Sequence, residues 1–168
     1  MVIGCAEAGK TTLIRKLKGE KNITTTTTKG IEINVHEFEL DDKECTIKTC
    51  EKTMDIEENT SNASANEDNL KMLSLLDFAG QSAYYACHHI FFSPRAFYIL
   101  VVDISKDLNS QADKACDQEG LIYSNWTYAD YIKYWLGSIH TYGSMSAPVI
   151  LVFSHSEDIG ADPDKVVR

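Results

Sequence analysis

The chain has 168 residues, 43% of them apolar and 24% charged, with a net charge of −9 and a pI of about 4.9. That suits one domain with a full core and the composition of an ordinary globular protein. The acidic balance argues against a nucleic-acid surface, which needs clustered Lys and Arg, and no apolar run reaches the ~18 residues of a membrane span. Cys5, Cys45, Cys50, Cys87 and Cys116 are odd in number and lack paired-ligand spacing, so free thiols in a reducing compartment are expected. No signal peptide is read at the start, and the expected compartment is the cytoplasm. On that reading the N-x-S/T triplets at Asn59, Asn62 and Asn125 are coincidences. Both ends read as clipped, so a fragment of a longer protein is expected.

In chain order, Met1-Val2-Ile3 is apolar and reads as the end of a strand. Gly4-Cys5-Ala6-Glu7-Ala8-Gly9-Lys10-Thr11 follows, in the spacing G-x-x-x-x-G-K-T of a phosphate-binding loop. Glycines let successive N–H groups converge on phosphate oxygens, and the positive end of the next helix adds to that field. Lys10 suits the β- and γ-phosphates, and the Thr11 hydroxyl suits Mg²⁺. Lys10 to Lys18 reads as a helix with Leu13, Ile14 and Leu17 on one face, ended by Gly19. Cys5 is expected to be exposed in the loop and open to oxidation.

Thr24 to Thr28 form a run of poor helix formers and read as an extended loop. Ile31, Ile33 and Val35 alternate with polar residues as in a half-buried strand, and the slip at Glu37-Phe38 predicts a bulge or the strand end. Residues 41–69 are polar and acidic. Cys45 to Cys50 suggests a short strand, and Thr53 to Asn69 has too little to bury and reads as a mobile insertion. A solvated loop is the simpler reading of that insertion; a partner-binding segment is the other.

Leu70 to Leu76 predicts a strand running into Asp77, and Ser82 to Phe92 a helix. Ala96 to Ile104 has the apolar, β-branched and aromatic character of a buried parallel strand. Lys106 to Gly120 reads as a polar loop. Tyr131, Ile132, Trp135, Leu136 and Ile139 form a helical stripe, and Pro148 to Phe153 reads as a second buried strand. Alternating strands and helices imply a three-layer α/β domain with a mainly parallel sheet, whose ligands sit at the carboxyl ends of the strands. Asp77-Phe78-Ala79-Gly80-Gln81 stands at such an end. Asp77 suits Mg²⁺, commonly through a water, Gly80 lets its N–H approach a γ-phosphate, and Gln81 suits an attacking water. His88 and His89 are adjacent, so they diverge on a helix and make a poor metal pair. Trp126 and Trp135 read as packing residues.

The chain resembles a Ras-like small GTPase domain, and most of all the Roc type of Roco proteins. The resemblance is carried by GCAEAGKTT (4–12), TKGIEI (28–33), DFAGQ (77–81), YYACHHIFF (84–92), RAFYILVVDIS (95–105), YWLGSIH (134–140) and PVILVFSHSED (148–158). It spans nearly the whole chain and implies a P-loop fold that hydrolyses GTP slowly as an intracellular molecular switch. The nucleotide-binding residues it implies are Gly4 to Thr12, Thr28, Asp77, Gly80, Ser154, His155 and Glu157. Thr11, Thr28 and Asp77 would hold Mg²⁺, and Lys10 and Gln81 would act in catalysis. Thr27 is the alternative to Thr28, since a run of five threonines leaves the register soft. The base motif departs from the N-K-x-D usual in this class of GTPases; Roc domains often have T-H-x-D, which Ser154-His155-Ser156-Glu157 resembles with Glu in place of Asp. The ungapped register makes Glu157 the guanine-reading carboxylate, and a one-residue shift makes it Asp158. Leucine-rich repeats before the domain, a COR dimerisation domain after it and, in some members, a kinase domain are what the family implies. A scaffold with negligible turnover and an ATPase of the same broad fold are the alternative readings.

Overall fold

The computed structural model describes residues 1–21, 34–41, 46–49, 71–116 and 122–161. Among them is a six-stranded sheet in the order β3-β2-β4-β1-β5-β6. β1 is Val2–Ile3, β2 Asn34–Asp41, β3 Thr46–Thr49, β4 Lys71–Asp77, β5 Tyr98–Asp103 and β6 Val149–Ser154. β4, β1, β5 and β6 run parallel, as their apolar runs predict, and β2 and β3 are added antiparallel at one side. The described residues therefore have the expected α/β fold.

β1 is only two residues long, yet it is central and fully buried. Val2 pairs with Asp77 on one side, and Val2 and Ile3 pair with Ile99 and Leu100 on the other. The predicted break at Glu37-Phe38 does not occur. β2 continues through it in unbroken register, Glu37 opposite Ser74 and Phe38 opposite Leu73. Continuous pairing to β4 overrides the local slip in alternation. The strand suggested for Cys45 to Cys50 is found as β3, while Ile31 to Ile33 and the acidic stretch from Thr53 to Asn69 lie outside the described residues.

Helix α1 (Lys10–Leu17) buries Ile14 and ends where Gly19 takes φ +75°, its N–H donating to the Lys16 carbonyl. A left-handed glycine just past the helix is the usual way to satisfy the last carbonyls. The single helix expected over Ser82 to Phe92 is instead three short pieces. A 3₁₀ turn (Ser82–Tyr84) leads into α2 (Tyr85–His88) and a second 3₁₀ turn (His89–Phe91). Side-chain packing dictates this path, because the segment is moulded over a bed of aromatic rings. Tyr85 meets Trp135 at 4.6 Å between ring centroids, Phe78 meets His88 at 4.8 Å, and His88 stacks on Trp135 at 5.6 Å. Each such pair contributes about 0.5–1.5 kcal/mol beyond area burial.

Helix α3 (Tyr128–Ser138) supplies the floor of that bed. Thr127 caps it reciprocally with Asp130, a capping box that sets its start. Tyr131, Trp135 and Ile139 of the predicted stripe are buried, but Leu136 is exposed. The helix continues as one π-helical stretch, Ile139–Gly143. β6 departs from the expectation of a buried strand. Among the described residues it pairs with β5 alone, and Ile150 and Leu151 are about half exposed. No described helix is long and apolar enough to cross a membrane.

Candidate functional site

The carboxyl ends of β1, β4, β5 and β6 converge on one place, and the sequence motifs meet there. β1 ends at Ile3, and Gly4 turns with φ +143° against β5; a Cβ on it would run into the Val101 carbonyl. Glu7 (φ 61°) and Gly9 (φ 86°) are left-handed, which folds the loop back so that α1 starts at Lys10. Gly4, Glu7 and Gly9 thus fold the loop onto the N-terminus of an eight-residue helix, a kind of loop–helix junction that binds anions.

Lys10 is buried, and its Nζ donates to the Cys5 carbonyl at 2.6 Å. Burial lowers its pKa to about 8, against the pull of Asp77 and Cys5. A buried ammonium is costly unless anions compensate it, and Asp77 supplies one such charge beside Lys10. The Thr11 hydroxyl donates to Asp77 Oδ2 at 2.8 Å. These two residues lie far apart in sequence, and both offer oxygen ligands beside the phosphate loop. An all-oxygen set of this kind fits a hard divalent cation such as Mg²⁺.

Phe78 and Ala79, the first residues of the loop that follows β4, are buried. Gly80 lies directly against the phosphate loop; a Cβ on it would collide with Lys10 Nζ and the Ala6 amide, so only glycine fits. The buried Tyr85 holds Gly80 in place, its hydroxyl donating to the Gly80 carbonyl at 2.9 Å. Gln81 follows with extended backbone (φ −79°, ψ 137°), half-buried at the rim. Thr27 and Thr28 lie outside the described residues.

The end of β6 touches the same loop. A Cβ on Gly9 would stand 3.6 Å from the Ser154 Cβ and 3.9 Å from the His155 ring. Ser154 Oγ donates to the Val102 carbonyl at 3.2 Å, and His155, itself at φ 56°, sets Nδ1 3.4 Å from Asp103 Oδ1. Glu157 and Asp158 are both exposed on the turn that follows.

Cys5 corrects an expectation. It is buried rather than exposed, and burial pushes its thiol up to about 12, so it is a poor nucleophile and a poor target for oxidation. The two histidines do diverge. His88 is fully buried among aromatic rings, with no hydrogen-bond partner for either ring nitrogen among the described residues. Burial, then the charges of Lys10 and His89, lowers its pKa to about 4, so it stays neutral near pH 7. His89 instead faces the Tyr134 hydroxyl at 3.0 Å and Ser138 Oγ at 3.2 Å.

Sequence reasoning missed three residues. Asp103 caps the end of β5 and accepts from Ser105 N and Oγ at 2.9 and 2.6 Å; its place at a strand end was the available signal. Tyr85 was hidden in an aromatic-rich stretch. Lys114, which pairs with Glu7 at 2.9 Å, has no sequence signal, because only the fold brings it to the loop.

Comparison with known proteins matches the family model "Roc: Ras of Complex, Roc, domain of DAPkinase" over residues 39–157. The probable serine/threonine-protein kinase pats1 of Dictyostelium discoideum is 28% identical over 178 residues, covering 100% of this chain and 4% of that protein. The probable serine/threonine-protein kinase roco5 of the same organism is 34% identical over 97 residues, covering 56% of this chain and 3% of that protein. The chain thus spans a small part of these relatives. A solved structure of Methanosarcina barkeri Roco2 RocCORdC bound to GDP superposes with a TM-score of 0.56 at 23% identity, over 99% of this chain and 37% of that one. At that identity the likeness speaks for the fold.

Proposed function

Since the chain belongs to the Roc family, we propose that it binds guanine nucleotide and hydrolyses GTP to GDP and phosphate with Mg²⁺, as a molecular switch in signalling. The observation that carries this is the junction of Lys10, Thr11 and Asp77, a buried cation next to a hydroxyl and a carboxylate at the mouth of an anion-binding loop. The GDP in the Roco2 structure supports guanine as the base.

The reaction is phosphoryl transfer to water. Loop amides from Cys5 to Thr11 and the Lys10 ammonium stabilise charge on the phosphate oxygens, and Gln81 orients the attacking water. Thr11, Asp77 and Thr28 would hold Mg²⁺, which when bound supplies charge neutralisation between the β- and γ-phosphates. Ser154, His155 and Glu157, with Asp158 as the alternative carboxylate, form the base-reading rim. An acceptor carboxylate pairs with guanine and leaves adenine unmatched. Arg15, Arg95 and Arg168 are the chain's only arginines, and Arg15 is engaged with Glu20 at 4.0 Å. Turnover is therefore slow until a partner or dimer mate supplies an arginine, worth about 10³–10⁵ in such enzymes. A cytoplasmic setting, leucine-rich repeats, and a homodimer through a COR domain belong to the same proposal.

Equilibrium binding of fluorescent GDP and GTP analogues, with and without Mg²⁺ and in competition with ATP, tests it. Micromolar or tighter binding displaced by GTP but not ATP is expected. Displacement by both would remove the guanine assignment, and no binding would remove the function. Gln81→Leu is expected to slow single-turnover hydrolysis by about tenfold or more while sparing affinity; an unaltered rate would strip Gln81 of its role. A nucleotide-holding scaffold is the second reading, favoured by the acidic insertion and by Ser154 and His155 standing where GTPases of the wider class have Asn and Lys. Undetectable turnover in the wild type despite tight binding would select it.

A further inference from the structure

Glu7 is an unexpected residue where it stands. It occupies the middle of the loop between Gly4 and Gly9, in a left-handed conformation (φ 61°) that is strained for a non-glycine residue. Its carboxylate adds a negative charge beside a site for a nucleotide di- or triphosphate. The carboxylate is carried by the loop itself, so it stands on the order of 10 Å from an anion that the loop amides would hold. At that range one unpaired charge weakens a diphosphate by about tenfold, or 1.4 kcal/mol.

The fold answers that charge. Lys114 Nζ sits 2.9 Å from Glu7 Oε2, and the hydrogen bond to Glu7 is the first cause of its raised pKa. Lys114 stands on a 3₁₀ turn, Asp113–Ala115, in the loop after β5. That turn is fixed, although the Lys114 side chain is 72% exposed. Ala112 and Ala115 on either side are buried, the Ala112 N–H donates to the Trp126 carbonyl at 3.0 Å, and Gln111 bridges to Thr127. An exposed ion pair of this kind contributes little to folding. Its place matters through the nucleotide.

We propose that Lys114 is a positioning residue for nucleotide retention: it neutralises Glu7 and so keeps the phosphate loop attractive to guanine di- and triphosphates. Lys114 acts through Glu7 and does not itself touch the phosphates. The inference rests on the nucleotide-binding reading above.

The test measures dissociation rates of fluorescent GDP and of a fluorescent non-hydrolysable GTP analogue from the full chain. Wild type, Lys114→Ala, Lys114→Arg, Glu7→Gln and the Glu7→Gln/Lys114→Ala double variant are compared. Lys114→Ala is expected to release GDP about 3–10-fold faster, and the more highly charged GTP analogue faster still, at unchanged melting temperature. The acceleration shrinks at ~0.5 M salt, and Lys114→Arg restores the wild-type rate. In the Glu7→Gln background, Lys114→Ala changes the rate by less than about twofold, since no carboxylate remains to neutralise. Equal acceleration in both backgrounds would overturn the proposal in favour of direct phosphate contact, and so would a Lys114→Ala rate equal to wild type. Absence of nucleotide binding by the wild type would instead overturn the nucleotide reading, and this proposal with it.

Discussion

Lys10→Ala should lose nucleotide affinity by roughly 100-fold or more, in line with the 2–5 kcal/mol that truncating one partner of a buried charge pair costs. The reason lies in where the ammonium stands. It is buried, it donates to the Cys5 carbonyl at 2.6 Å, and Gly80 lies directly against it. The same geometry gives a pH dependence. Burial lowers the Lys10 pKa to about 8 in the protein without ligand, and phosphate requires the protonated form. Affinity is therefore expected to be level below pH 8 and to fall above it, by about tenfold per unit at most. Isothermal titration or fluorescence competition with GDP across pH 6.5 to 9.5 checks both statements. Wild-type affinity in Lys10→Ala would dismiss the site. A flat profile would dismiss the assignment of that pH dependence to Lys10. A third readout is thermal: Mg²⁺ and GDP should raise the melting temperature of the wild type and leave that of Lys10→Ala unmoved.

Gly4→Ala should damage both stability and nucleotide binding. The residue joins the central strand to the phosphate loop with φ +143°, and its missing Cβ points at the Val101 carbonyl of the neighbouring strand. Nothing there can give way, because Val2 and Ile3 of β1 are paired to β5, and Val101 is buried and paired to Val152 of β6. Backbone strain and the steric clash together are expected to cost about 2–4 kcal/mol. For a domain of this size that corresponds to a melting temperature lower by roughly 5–15 °C. The loop would also shift, with loss of nucleotide binding even where the protein folds. Gly137→Ala is the control, since a Cβ there meets nothing within 4 Å. Equal melting temperatures for Gly4→Ala and wild type would refute the account of the loop entrance.

Much of this was legible in the residues. GCAEAGKT and DFAGQ have fixed spacings because phosphate binding constrains backbone conformation, and glycines mark where only glycine fits. The apolar run at Ala96 to Ile104 gave a strand because burial on both faces leaves an unmistakable composition, and the run ending at Leu76 is found as β4, Lys71–Asp77. Where packing decided the path, local reading failed. Ser82 to Phe92 has the pattern of a helix and is broken into three pieces over Trp135 and Phe78. β2 runs on through Glu37-Phe38 because β4 holds its register. The Cys5 thiol is buried because the loop turns it toward β5, which no pattern of nearest neighbours records.

By itself, then, the sequence determined which loop has phosphate-binding spacing, which strand ends carry a carboxylate, and the order in which strands and helices alternate. These are set by short-range rules of backbone conformation and hydrophobic period. Only the tertiary structure decided which distant residues share the site. Thr11 reaches Asp77 because β1 and β4 are neighbours in the sheet. The Tyr85 hydroxyl reaches back to Gly80 because α2 packs on Trp135. Lys114 meets Glu7 because the loop after β5 is tied down beside the phosphate loop. Each is a pairing across the fold, and its energy comes from burial and proximity that exist only once the sheet has assembled.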